Sequence, residues 1–83
     1  MGTYGLTGCF EISDAKLKEW LQKFIEAENR RHIRPNAILL AKRTREDIDR
    51  VMTLLVALRD EGIIKVKNGY EHQDSYCWPW EIV

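Results

Sequence analysis

Much of what the sequence says comes from what it lacks. There are two cysteines, Cys9 and Cys77; they form no Cys-x-x-Cys pair and are too few for the disulfide framework of a small secreted domain. Both are expected in strands at opposite ends of the chain, as half-buried thiols or as one cross-strand disulfide. With only two prolines, no low-complexity stretch and no internal repeat, the composition is that of one globular domain rather than a linker or an array. No apolar run approaches the ~20 residues of a membrane span. Met1 to Ile12 lacks the basic start and long apolar centre of a secretion signal, so a soluble, cytoplasmic protein is expected. Excess charge is missing too: thirteen basic residues balance thirteen acidic ones, and no global field draws the chain to nucleic acid or an anionic membrane. Any charge argument must be local.

Catalytic and metal-binding patterns are also absent. His32 and His72 have no cysteine or carboxylate at metal-ligand spacing, and a Cys9/Cys77/His72 site would have to be assembled by the fold. There is no glycine-rich phosphate loop and no nucleophile–base signature. Glu26 and Glu28 read as ordinary helix-surface residues. The chain is expected not to be an enzyme, and to carry no cofactor and no metal.

What is present is organised around Leu40 to Val66. From Asp47 to Glu61 the apolar residues Ile48, Val51, Met52, Leu54, Leu55, Val56 and Leu58 cover more of a helix than one surface stripe would. Such a helix has to be covered on two sides, which places it at the centre of the domain. Gly62 follows as its stop, and the period then turns alternating, with Ile64 and Val66 opposite Lys65 and Lys67. Before it, Ser13 suits an N-cap and Asp14 the positive end of a helix dipole. Leu17, Trp20, Leu21, Phe24, Ile25 and Glu28 then give an amphipathic helix from about Asp14 to Arg31. Pro35 suits the first position of a second helix, because its fixed φ and missing N–H are no handicap there. Ala37 to Ala41 is a buried strand or short helix, with the helix favoured. Thr44 to Glu46 forms a turn, and either a Thr44–Asp47 capping box or Asp47 alone caps the central helix.

At the ends, residues 3 to 12 alternate as a strand with Tyr4, Leu6, Gly8, Phe10 and Ile12 on one face. Asn68-Gly69 is a strong hairpin signal whose returning arm starts at Tyr70. Residues 72 to 75 bulge or loop before a last strand in which Tyr76, Trp78, Trp80 and Ile82 alternate. Pro79 places that strand at an edge or breaks it.

The order strand, helix, short helix, turn, long helix, hairpin resembles the winged-helix superfamily over roughly residues 15 to 72. Leu40-Ala41-Lys42-Arg43, the cap Asp47 and Val51 match the spacing of its helix-turn-helix. Leu55, Leu58, Gly62, Ile63 and Ile64 match the packing positions and the helix-to-wing junction. Where the superfamily has apolar, Gly, apolar in its turn, this chain has Thr44, Arg45 and Glu46. The resemblance implies an α+β winged helix-turn-helix with three helices and a C-terminal β-hairpin wing, to which an N-terminal strand is added. One domain would span 1–83: strand 1–12, helices 14–61, wing and aromatic tail 63–83.

The resemblance also implies DNA binding and a regulatory, transcriptional role. The residues that would face a major groove are Ile48, Asp49, Met52 and Thr53, none of them a bidentate reader of base edges. The positive charge precedes that helix. Arg30, Arg31, Arg34, Lys42, Arg43 and Arg45 stand with His32 and no acid, and Lys65 and Lys67 extend the set, so phosphate contacts are expected without base discrimination. A helix end and a solvated loop would collect arginines in any case. The alternative is a winged-helix adaptor or inhibitor that binds a protein partner through Ile48, Met52, Tyr76, Trp78 and Trp80. The aromatics could instead stack single-stranded bases or pack as core. A homodimer is expected on either reading, since so small a domain has a thin core.

Overall fold

The computed structural model describes residues 12–83. Among them are three helices, α1 (Asp14–Arg30), α2 (Ala37–Thr44) and α3 (Ile48–Asp60), and the strands β1 (Ile64–Val66) and β2 (Trp80–Ile82), with a 3-10 turn at Ser75–Cys77 between the strands. The strands form a two-stranded antiparallel sheet in the register Ile64↔Ile82, Lys65↔Glu81, Val66↔Trp80. The class is α+β, compatible with a winged-helix layout. The expected N-terminal strand, with Cys9, lies outside the described residues.

The core is one cluster drawn from all three helices and both strands: Leu17, Leu21 and Ile25 from α1, Ala37 and Leu40 from α2, Val51, Leu54, Leu55 and Leu58 from α3, Ile64, Val66 and Trp80 from the sheet. Two residues of α1 depart from the expected pattern. Trp20 is 41% exposed, because it sits one step off the Leu17–Leu21–Ile25 ridge, and Glu28 is buried because it continues that ridge. Glu28 is therefore not the ordinary surface residue it resembles in the sequence.

Side chains start each helix. Ser13 accepts from Lys16 N, Asn36 from Leu39 N, and Asp47 from both Asp49 N and Arg50 N. Asn36 displaces Pro35 from the first helical position it was expected to hold. Pro35 is buried one residue earlier, and its carbonyl accepts from Trp80 N at 3.1 Å. Thr44 takes no part in capping α3; its hydroxyl donates to Leu40 O at 2.9 Å and closes α2 instead.

All three helices end the same way. After α1, His32 N bonds Asn29 O and Ile33 N bonds Glu28 O; after α3, Gly62 N bonds Arg59 O and Ile63 N bonds Leu58 O; after α2, Glu46 N bonds Ala41 O. Each of these ends turns through a left-handed residue, His32 (φ 63°), Arg45 (φ 59°) or Gly62 (φ 80°). Glycine is free to do this, whereas a side chain with a Cβ is held there at about 1–2 kcal/mol. Arg45 thus adopts, after α2, the left-handed conformation that Gly62 adopts after α3.

The wing differs from a tight hairpin. Gly69 turns the chain at φ 91°, but no strand begins at Tyr70. Asp74 accepts from Tyr76 N and starts the 3-10 turn, and pairing resumes only at Trp80. The stretch Glu71 to Asp74 has no apolar side chain to set against Val66, whereas Trp80 has one and fills the core with none of its surface exposed. Trp80 is therefore not available as the partner-facing residue it was expected to be. Tyr76 and Trp78 lie in the turn, not in a strand.

Replacing Gly62 with Ala should lower unfolding free energy by about 1 kcal/mol. Arg45→Gly should raise it by up to about 1 kcal/mol, because the left-handed strain is removed. Urea denaturation of both variants checks this pairing. Equal losses in both would contradict it.

Candidate interaction face

The basic residues do not behave as a set. Arg30 pairs with Glu26 at 3.6 Å, Arg31 with Glu28 at 3.6 Å and Arg34 with Glu81 at 2.7 Å, and Lys65 reaches the same Glu81 at 3.8 Å. These pairs are mostly exposed and individually weak, yet together they balance half of the expected phosphate-binding residues. Lys42 and Arg43 in the last turn of α2, Arg45 just beyond it, and Lys67 make no ion pair among the described residues. Lys67 lies 6.0 Å from the centre of the Tyr70 ring. Arg50, on α3, is clamped by Asp14 at 2.9 Å, by Glu46 at 2.7 Å and by the carbonyl of Ile12. Hydrogen bonds to Asp14 and then Glu46 hold its proton more tightly than usual, so it adds no free cation to the helix.

The outward side of α3 is occupied from another direction. Ile48 and Met52 are half-buried against the core. Asp49 is exposed, and the Tyr76 hydroxyl, from a turn 27 positions along the chain, donates to it at 2.6 Å. The result is a shallow groove of about 390 Å³ lined by Met52, Thr53, Val56, Ser75 and Tyr76. Its upper wall is stiffened by Trp78, whose Nε1 donates to the carbonyls of Glu71 (3.2 Å) and Gln73 (3.1 Å). Arg59 sits 5.4 Å from the Trp78 ring centre, and Trp78 meets Trp80 edge to face at 5.9 Å. Met52 and Tyr76 therefore line one surface, Trp78 braces it, and Trp80 anchors the brace in the core. Thr53 shares the outward side of α3 that its spacing gave it, whereas Val56 and Ser75 were not legible as groove residues, because only the long-range fold brings the turn to α3.

The groove is acidic at its edge. The bond to Asp49 raises the Tyr76 phenol above its usual range, with smaller contributions from the charge of Asp49, burial, and the charges of Asp74 and Asp47. Three carboxylates thus act on one hydroxyl. Cys77, next to it, is exposed. Among the described residues no group of three histidines, cysteines or carboxylates is placed to hold a metal, and no helix is long and apolar enough to cross a membrane.

Comparison with protein-family models, curated proteins and solved structures gave no match. What this face does must therefore be argued from its own chemistry.

Because the Tyr76 proton is held more tightly in the folded chain than in the unfolded one, the stability it confers is whole below about pH 10 and is lost as pH climbs through the raised value. Tyr76→Phe should lower the melting temperature at neutral pH, and the gap to the parent should close in alkali. Melting curves across that range check it. A gap that widens would mean the phenol is not held as its neutral form.

Proposed function

We propose that this chain is a protein-interaction module of winged-helix layout, an adaptor or inhibitor rather than a reader of DNA, and that its docking face is the groove between α3 and the Ser75–Cys77 turn. One observation carries this reading. The side of α3 that would enter a major groove is edged by Asp47, Asp49 and Asp74 around Tyr76 and floored by Met52 and Val56. Phosphates brought to that side would meet carboxylates. A partner segment that sets an apolar side chain between lysines or arginines would have both of its features matched. Specific docking through a pocketed apolar anchor with a charged rim is how small interfaces gain most of their affinity.

A second reading keeps the nucleic-acid role. Among the described residues Lys42, Arg43 and Arg45, with Lys67, pair with no carboxylate, and Arg45 stays in a left-handed conformation that a glycine would adopt without strain. A small regulatory protein could bind the DNA backbone through them, without reading sequence.

Titration of isotope-labelled protein, followed by NMR, separates the two. One arm uses a short DNA duplex at low and moderate salt; the other uses a model peptide of lysines and leucines. The adaptor reading expects peptide-induced shifts at Met52, Val56 and Tyr76, with affinity in the range of roughly 0.1–1 mM for so generic a probe, and no salt-sensitive response to DNA. Shifts centred on Lys42 to Arg45 with DNA, lost with added salt and in Arg43→Ala/Arg45→Ala, would favour the second reading.

A further inference from the structure

The longest described helix carries an apolar stripe that its own core covers only in part, at Phe24. Beside the buried ridge of α1, Trp20, Phe24 and Ala27 follow one another at i, i+4, i+7 spacing, so they share one flank. Trp20 is 41% exposed, Ala27 is exposed and Phe24 half-buried. With Lys23 they line a depression of about 380 Å³. Along the edge of the stripe runs a row of alternating sign: Lys16, Glu19, Lys23, Glu26, Arg30. Among the described residues this row makes only exposed pairs, Lys16–Glu19 at 3.3 Å, Lys23–Glu19 at 3.9 Å and Arg30–Glu26 at 3.6 Å. Such pairs are weak enough to be shared with a neighbour.

We propose that this face binds a second copy of the chain, α1 against α1, antiparallel across a two-fold axis beside Phe24. A two-fold interface sets each flank of the helix against the same flank of its mate, so the charge row must complement its own reversal. It does so in a register that also centres the apolar stripe. With the axis at Phe24, Lys23 falls one residue, about 1.5 Å of rise, from Glu26 of the partner subunit, and Glu19 the same from Arg30 of the partner subunit, each twice by symmetry and within reach of long side chains. Phe24 then meets Phe24 of the partner subunit, and the bulky Trp20 lies within one residue of the small Ala27 of the partner subunit. A partner helix of one charge sign would leave half the row unmatched. This dimer leaves the α3 groove open and does not depend on what the groove binds.

Sedimentation equilibrium of the full chain over a wide concentration range should show mass rising from 9.8 kDa toward twice that value. Trp20→Glu, at an exposed position, should weaken the dimer by roughly a hundredfold while circular dichroism and melting stay close to the parent's. The quadruple variant Glu19→Lys, Lys23→Glu, Glu26→Lys, Arg30→Glu inverts the row; it should dimerise with itself and exclude the parent chain. A chain that stays at monomer mass at every concentration would overturn the proposal and give the stripe to another occupant. So would a dimer indifferent to Trp20→Glu, which would be built on another face. Free mixing of the inverted variant with the parent would overturn the register.

Discussion

Asn29 holds the C-terminal strand in the molecule, and most of the rest follows from that. In the last turn of α1, its side chain donates to the carbonyls of Ile33 (3.0 Å) and Trp80 (3.3 Å) and accepts from Ile82 N at 2.8 Å. Pro35 O takes the remaining inward donor, Trp80 N. Strand β2 therefore has β1 along one edge, and along the other a side chain and a carbonyl that mimic a third strand. A three-residue strand would otherwise expose that edge to water or to another chain. Pinned on both edges, it can present Trp80 to the core with no exposed surface. Among the described residues the indole N–H finds no acceptor, so the packing around the ring must offset that cost.

The seating of Trp80 in turn places the α3 face. Because the chain must reach β2 from the end of β1, residues 67–79 cannot return as a plain hairpin and instead fold back over the helices. That detour brings Tyr76 to Asp49 and Trp78 to Arg59. The groove is thus a by-product of where the last strand had to go. Its acidic edge comes from cap and turn residues, Asp47 and Asp74, whose first duty is to bond backbone N–H groups. One set of carboxylates starts the local structure and sets the sign of the face that a partner would meet.

How much of this could be read beforehand depends on how local the cause is. Ser13, the ridge Leu17–Leu21–Ile25, the cap Asp47 and the stop at Gly62 are short-range features, and the helices lie where those residues put them. His32 and Arg45 as left-handed stops were not legible, since nothing in a histidine or an arginine announces positive φ; the geometry is imposed by packing on either side. Nothing in the sequence singles out Asn29 from other polar residues near a helix end. Its role needs a strand some fifty positions away. The aromatic alternation from Tyr76 to Ile82 suggested a strand throughout, but only Trp80 to Ile82 have a pairing edge to join. For the face, Met52 and Tyr76 could each be singled out by composition, whereas their meeting could not. The basic residues read as one run in the sequence, but Glu26, Glu28 and Glu81 divide them in space.

The integration of β2 with the core can be measured directly by native-state hydrogen exchange. If the strand is held as described, the amides of Trp80 and Ile82 exchange only through global unfolding, with the same free energy as Leu21 and Leu55 in the helices. Exchange of those two amides at the rate of a frayed chain end, while the helices stay protected, would contradict the account.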